Sequence, residues 1–297
     1  MFQVWQKFYA SSDNAKAYIL LSPALILVIL GMAVPVLAMF AMSFTTQAGF
    51  EIDYTPTFDR YREFLDTDTR TGNILTTLLS RSITISFLVT FFTILTTYPV
   101  AYYVAFYVKK NKILWIILMT IPLWTSYLLR VFAWKLILGN SGVINASLIS
   151  FGLIDEPLSY LMYSQLAVVI TLCHAWSAFA LLPLFVSLDK IDYSLIEASR
   201  DLGCSKFETF FRVTFPLSLP GVIGAIIIIF IPTVGDFITP AMVGGTEGRM
   251  LSNMIQSFFG RVNNFSLGAA SAVIMLFSVI VVTIIVNFVT KRLVQRL

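Results

Sequence analysis

The chain has 297 residues, 58% of them hydrophobic and 12% charged, with a mean hydropathy of +0.84. That is more apolar surface than a water-soluble fold of this length can hide, so the composition excludes a soluble globular protein and makes the bilayer the solvent. The net charge of +4 would suggest nucleic acid for a soluble chain; here it reads as loop charge, and no nucleic-acid partner is expected.

In chain order, the opening FQVWQKFY puts Phe2, Trp5 and Phe8 near one helical face beside Lys7, which fits either an interfacial helix or a frayed tail. A membrane span needs about 20 apolar residues. Six stretches meet or approach that length: 17–43, 82–108, 113–138, 161–187, 217–241 and 267–290. The first is too long for a cleavable signal and lacks a small-residue cleavage site, so it reads as a retained anchor. The absence of low-complexity tracts and internal repeats makes 1–297 one all-α, polytopic membrane domain with six transmembrane helices.

Lysine and arginine set the orientation. Lys7 and Lys16, the KKNK loop with Lys109, Lys110 and Lys112, the segment carrying Lys190, Arg200, Lys206 and Arg212, and the C-terminal Lys291, Arg292 and Arg296 fall on one side. The other side carries Arg60, Arg62, Arg70, Arg81, Arg249 and Arg261, while Arg130 and Lys135 lie within or at the end of the third span. By the positive-inside rule, both termini (the first as segment 1–16) and the 188–216 segment face the cytoplasm. The 44–81 and 244–266 segments face out.

Cys173 and Cys204 show no CxxC or ligand spacing, so neither a disulfide framework nor a metal site is indicated. The chain has one histidine, no HExxH, no GxSxG and no GxxxxGK[ST] loop, which leaves acid–base chemistry and nucleotide hydrolysis poorly equipped. An enzyme is therefore not expected. A secondary transporter or channel is the rival class, but it gives no reason for the structured charged segment that interrupts the apolar runs.

That segment, EASRDLGCSKFETFFRVTFPLSLPG from Glu197 to Gly221, has strong local signals. Asp192 is suited to N-cap a helix carrying Ile191, Leu195, Ala198 and Leu202 near one face, and Gly203 suits a left-handed C-terminal turn. Ser205 and Glu208 have the spacing of a capping box, which predicts a second short helix before Pro216 and Pro220 at the start of the fifth span. On patterning alone the alternatives are an amphipathic loop against the headgroups and an ordered helix–turn–helix element.

Glu197-Ala198-Ser199, Gly203, Val213, Phe215 and Pro216 resemble the E-A-A-x3-G-x9-I-x-L-P signature of ABC importer permeases, with Ser199, Val213 and Phe215 as mild departures. The resemblance implies the type I importer permease architecture, in which this segment is a coupling helix that docks on a separate cytoplasmic ATPase dimer. It assigns ATPase coupling to Glu197, Ala198, Ser199, Asp201, Leu202, Gly203, Ser205 and Phe207. It also implies no cofactor in this chain, ATP and Mg on the ATPase, a sister permease, a soluble substrate-binding protein and residence in a bacterial inner membrane. LLRVFAWKLILGNSGVIN (Leu128 to Asn145), GLIDEPL (Gly152 to Leu158) and FIPTVGDFITPAMVGG (Phe230 to Gly245) together look like spermidine/putrescine importer permeases. The implied solute is a polyamine, the alternative another small cationic or amine-bearing solute.

Asp236 is the intramembrane acid to examine. On a straight helix it lies about 28 Å from the inner end of the fifth span, and Arg130 about 26 Å into the third. Similar depth allows a structural Asp236–Arg130 pair. The other reading has Asp236 attract a polyamine, with Tyr127, Trp134, Trp176 and Trp124 as aromatic faces. His174, near mid-membrane, reads as a hydrogen-bonded packing residue.

Overall fold

The computed structural model describes residues 13–296, so the expectation of an interfacial helix over the first residues lies outside the described part. Helix α1 (Asp13–Met42) runs into a hairpin of β1 (Thr46–Ala48) and β2 (Glu51–Asp53), paired antiparallel with Gln47 opposite Ile52. There follow α2 (Asp59–Leu65), α3 (Arg70–Phe106), α4 (Lys112–Thr120), α5 (Tyr127–Leu138), α6 (Val143–Ser150) and α7 (Gln165–Asp189). After α8 (Tyr193–Asp201), α9 runs over Lys206–Val234. It is followed by α10 (Ile238–Val243), α11 (Leu251–Ser257) and α12 (Phe265–Arg296). Apart from the one hairpin the expectation of an all-α membrane protein is met, with five helices long and apolar enough to cross and a sixth made by a bent pair.

Helices α3, α7 and α9 pack on one another to form the core. Among the buried residues of α3, which include Ile85, Val89 and Ala101, are Ser82, Ser86, Thr90, Thr93 and Thr97. Small hydroxyl side chains at spacings of three and four let helices approach closely, and they can satisfy their own polar atoms by donating back to the helix. Ser82 Oγ donates to Leu78 O at 2.9 Å and Thr90 Oγ1 to Ser86 O at 2.7 Å, while the Ser86 and Thr93 hydroxyls have no partner among the described residues. Where α9 crosses α7, a Cβ on Gly221 would lie 2.4 Å from the Ser187 Cβ. Ser187 Oγ accepts from Gly221 N at 3.2 Å and donates to Ser218 O at 3.3 Å, so the glycine permits a polar crossing that any side chain would wedge open. By contrast α1 leans on α12 and turns its apolar residues outward.

Three expectations need correction. The third span is not a single helix over 113–138: Lys112–Trp124 and Tyr127–Ser150 meet at 85°. Pro122 tightens Ile121–Trp124 into a 3-10 turn, and Thr125 and Ser126 are then extended, with ψ of 150° and 133°. Next, the helix of the fifth span starts at Lys206, outside the membrane, rather than after Pro216, because a π turn over Phe210–Thr214 carries the helix through: Phe215 N donates to Phe210 O. Pro216, which has no N–H to place, follows that wider turn without leaving a donor orphaned. The same helix ends at Val234, short of Asp236, with Gly235 as its cap. Finally, α3 begins at Arg70, well before residue 82, capped by Thr69 Oγ1, which accepts from Gly72 N at 3.1 Å; the 44–81 segment is accordingly part hairpin, part helix.

Candidate functional site

Residues 192–209 form a two-armed knob. Asp192 Oδ1 accepts from Ser194 N at 3.0 Å and caps α8. At the far end Gly203 has φ of +89°. Its N–H donates to Arg200 O at 2.9 Å while Cys204 N donates to Ser199 O at 3.2 Å, the two bonds of a Schellman stop. The next arm opens on a full capping box: Glu208 N donates to Ser205 Oγ at 3.3 Å and Ser205 N to Glu208 Oε2 at 2.8 Å. These bonds favour the ionised carboxylates and hold Asp192 and Glu208 below their ordinary pKa values.

The knob has an inside and an outside. Ile196, Ser199 and Thr209 are buried, and the Ser199 and Thr209 hydroxyls bond at 3.1 Å across the two arms. Ser199, a departure from alanine in the signature, thus clasps the element. Glu197, Ala198, Asp201, Leu202, Gly203, Ser205 and Phe207 are all exposed. Leu202 is 85% and Phe207 72% accessible, two large apolar side chains on a charged tip, with Phe207 leaning on Phe211 at a centroid distance of 4.7 Å. Behind the knob, Phe210 and Phe215 meet Tyr98 at centroid distances of 5.9 and 6.1 Å. Tyr98 and Ser218 hydroxyls bond at 2.7 Å. The second arm of the knob is therefore continuous with a transmembrane helix that is keyed into the core.

The second cluster sits where α5 meets the break after α9. Asp236 Oδ1 accepts from Ile238 N at 2.9 Å and Thr239 N at 3.4 Å, capping α10, and its Oδ2 accepts from the Tyr127 hydroxyl. With its proton committed to Asp236, Tyr127 accepts in turn from Thr239 Oγ1 at 2.6 Å. Ser252 Oγ donates to Asp236 O at 2.6 Å and Asn253 Nδ2 to Phe237 O at 2.7 Å, so the joint is also tied to α11.

Arg130 does not join this pair. Its Nη1 donates to Ala175 O at 3.1 Å and its guanidinium lies 5.8 Å from the Tyr127 ring centroid. Among the described residues the ion pairs are Arg60–Glu63, Arg62–Asp59, Lys112–Asp189 and Arg212–Glu208. Similar depth along straight helices does not carry over to a third span that bends before Arg130. Tyr127 lies 6.5 Å from Trp176, and Trp134 packs edge-on to His174 at 5.5 Å, whereas Trp124, beyond the break, is 85% exposed. The arrangement brings Asp236, Tyr127, Arg130 and Trp176 together, sets Trp134 on His174, and adds Thr239, which the sequence reading missed. Its only sequence signal is its place three residues after an acid at a glycine break.

The family described as binding-protein-dependent transport system inner membrane component matches residues 19–297. The spermidine/putrescine transport system permease protein PotB of Escherichia coli K12 is 34% identical over 164 residues, 55% of this chain and 59% of that protein. The inner membrane ABC transporter permease protein YdcU of the same organism is 33% identical over 62% of this chain and 60% of its own length. The match thus spans a little over half the length of these relatives. A chain in the crystal structure of a bacterial ABC transporter that imports the acidic polysaccharide alginate superposes with a TM-score of 0.71 at 15% identity, covering 98% of this chain and 99% of that one, a likeness of fold.

Proposed function

Given that the chain belongs to the family of inner membrane components of binding-protein-dependent transport systems, we propose that it is one of the two permease subunits of an ATP-driven importer for polyamines. The observation that carries the importer reading is the ordered knob at 192–209, with Leu202 and Phe207 exposed at its tip and its second arm continuous with α9. An apolar tip held rigid by a cap, a Schellman stop and a capping box is suited to insert into a groove on another protein. An arm that continues into a core helix turns displacement of that tip into tilt of the membrane bundle, a shift of the helix-packing kind.

On this reading the ATPase dimer binds ATP and Mg, hydrolysis occurs there, and a soluble binding protein delivers the solute on the opposite face. Both termini and the knob are cytoplasmic. The solute class rests on the likeness to PotB. Another small amine-bearing solute is the second reading, favoured by the engagement of Asp236: three donors occupy its carboxylate and Arg130 stands nearby, so it offers little free charge to a polycation. The test is to purify the complex, identify the co-purifying ATPase, and measure its stimulation by binding protein loaded with spermidine, putrescine or other amines. Co-purification with polyamine-specific stimulation is expected. Uptake that persists without any ATPase would overturn the importer reading, and stimulation only by another solute would overturn the polyamine one.

A further inference from the structure

The turn after α3 runs Tyr107-Val108-Lys109-Lys110-Asn111, and Asn111, in the left-handed region with φ of +57°, reverses it into α4. Lys112 points back into the fold, where its Nζ donates to Ala105 O at 2.6 Å and to Asp189 at 2.7 Å. Lys109 and Lys110 stay exposed, and among the described residues neither is in an ion pair. The bilayer reaches up to them. Ile113, Leu114 and Trp115, which follow Lys112 at the start of the broken third span, are all exposed, Ile113 to 76%. Apolar side chains this open on a membrane span have to face hydrocarbon, so the headgroup layer lies at the turn itself.

The α3 side of the turn gives the same depth independently. Tyr103 and Tyr107 are exposed there, their rings 11° from parallel with centroids 5.7 Å apart. Tyrosine and tryptophan settle at the membrane interface because one end of the side chain is apolar and the other polar. The two ammoniums, flanked by Tyr107 and Trp115, are therefore held among lipid phosphates rather than in bulk water. The acids nearby in sequence do not cancel them. Asp189 is matched by Lys112, and Lys190 beside it is a further exposed cation without an ion pair among the described residues. Asp192 is committed to capping α8. The knob's other acids, Glu197, Asp201 and Glu208, are equalled in number by its Arg200, Lys206 and Arg212.

A lysine close to an anionic leaflet is attracted by its surface potential, and a pair on one turn concentrates that attraction at a single headgroup. We propose that the 107–112 turn seats an anionic phospholipid of the cytoplasmic leaflet, with its phosphate on the Lys109 and Lys110 ammoniums. The seat has a consequence for the knob. Lys112, on the same turn, bonds Asp189, which lies three residues before the Asp192 cap of α8. A lipid that fixes the turn thereby steadies the base of the knob. The seat itself takes only the leaflet from the orientation given above, whereas its effect on the knob rests on the importer reading.

The test uses the purified complex in nanodiscs of phosphatidylcholine alone or of equal parts phosphatidylcholine and phosphatidylglycerol, with native mass spectrometry to count the phosphatidylglycerol retained. Retention is expected, and Lys109→Gln with Lys110→Gln should lower it about tenfold or more. Arg62→Gln with Arg70→Gln, which removes two exposed charges from the opposite side, should leave it unchanged. The ATPase rate stimulated by binding protein should be higher in the phosphatidylglycerol discs, and the lysine variant should lose that excess while keeping its rate in phosphatidylcholine and its thermal stability. Undiminished retention in the lysine variant overturns the proposal. So does loss of the ATPase from that variant in both kinds of disc, which would make the turn a protein contact. Lysine-dependent retention without any excess in rate supports the seat and overturns its link to the knob. If no ATPase accompanies the unmodified complex, the importer reading fails, and retention alone still decides the lipid seat.

Discussion

Asp236 shows how a half-buried acid can be engaged by its own chain. Its two oxygens take the Ile238 and Thr239 amides and the Tyr127 hydroxyl, which makes it the cap of α10 and the link from α9 to the bent third span. Asp236→Asn keeps an acceptor for the amides, so stability should change little, whereas Asp236→Ala should cost about 1 kcal/mol for the lost cap and more for the orphaned Tyr127 hydroxyl. Thermal unfolding of the complex checks both. Because Arg130 bonds the Ala175 carbonyl instead of the acid, adding Arg130→Gln to Asp236→Asn should not restore uptake lost in the single variant. Restoration would show that the two charges pair in some state of the transport cycle. None of this was legible from hydropathy. Asp236 fell inside a stretch apolar enough to count as span, and the amides it caps are set by the backbone break after Gly235.

The 192–209 knob, by contrast, was legible almost residue by residue, because caps and stops are local. Asp192, Gly203 and the Ser205/Glu208 box lie within a few residues of the groups they satisfy, so spacing alone specifies them. What spacing did not reveal is that the second arm runs on through a π turn into α9, since Pro216 looks like a boundary unless the wider turn before it is known. Gly203→Val should cost about 1–2 kcal/mol at its left-handed position and detach or uncouple the ATPase. On the importer reading, Leu202→Ala and Phe207→Ala should weaken ATPase co-purification about tenfold or more while leaving the fold intact, as Leu202 and Phe207 are mostly exposed and Phe207 gives up only its contact with Phe211. The carboxylates of Asp192 and Glu208 also give the knob a pH signature. Their folded pKa values are depressed, so their contribution is present above the ordinary carboxylate range and is lost as pH falls through the lowered values. A spin label on Cys204 should gain mobility on acidification, and Asp192→Asn with Glu208→Gln should abolish the part of that change due to the caps.

At the scale of the whole molecule, the two ends of the bundle are stitched by different bonds. At one end Gln47 Oε1 accepts from Phe265 N at 2.8 Å and Thr45 and Ser266 hydroxyls bond at 2.7 Å, joining the hairpin to the start of α12. At the other, Lys112 Nζ bonds Asp189 at 2.7 Å and Ala105 O at 2.6 Å, gathering α3, α4 and α7 beside the knob. The lysine-rich 109–112 turn and the knob therefore share an end, and the hairpin shares the other with the 244–266 segment, which is the partition required by six crossings in which the bent α4–α6 unit counts as one. The bend leaves the parity intact even though it breaks the helix, and this is why span counting succeeded where helix boundaries did not. The proposed sidedness rests on the lysine and arginine bias. In a Cys173→Ser/Cys204→Ser background, single cysteines at Phe50 and Glu247, both exposed, should react with a membrane-impermeant thiol reagent in intact cells, and one at Leu202 should react only after the membrane is opened. Labelling of the Leu202 position from outside would invert the molecule. It would also remove the basis for an ATPase at the knob and for a cytoplasmic-leaflet lipid at the lysine turn, since both assignments depend on the same orientation.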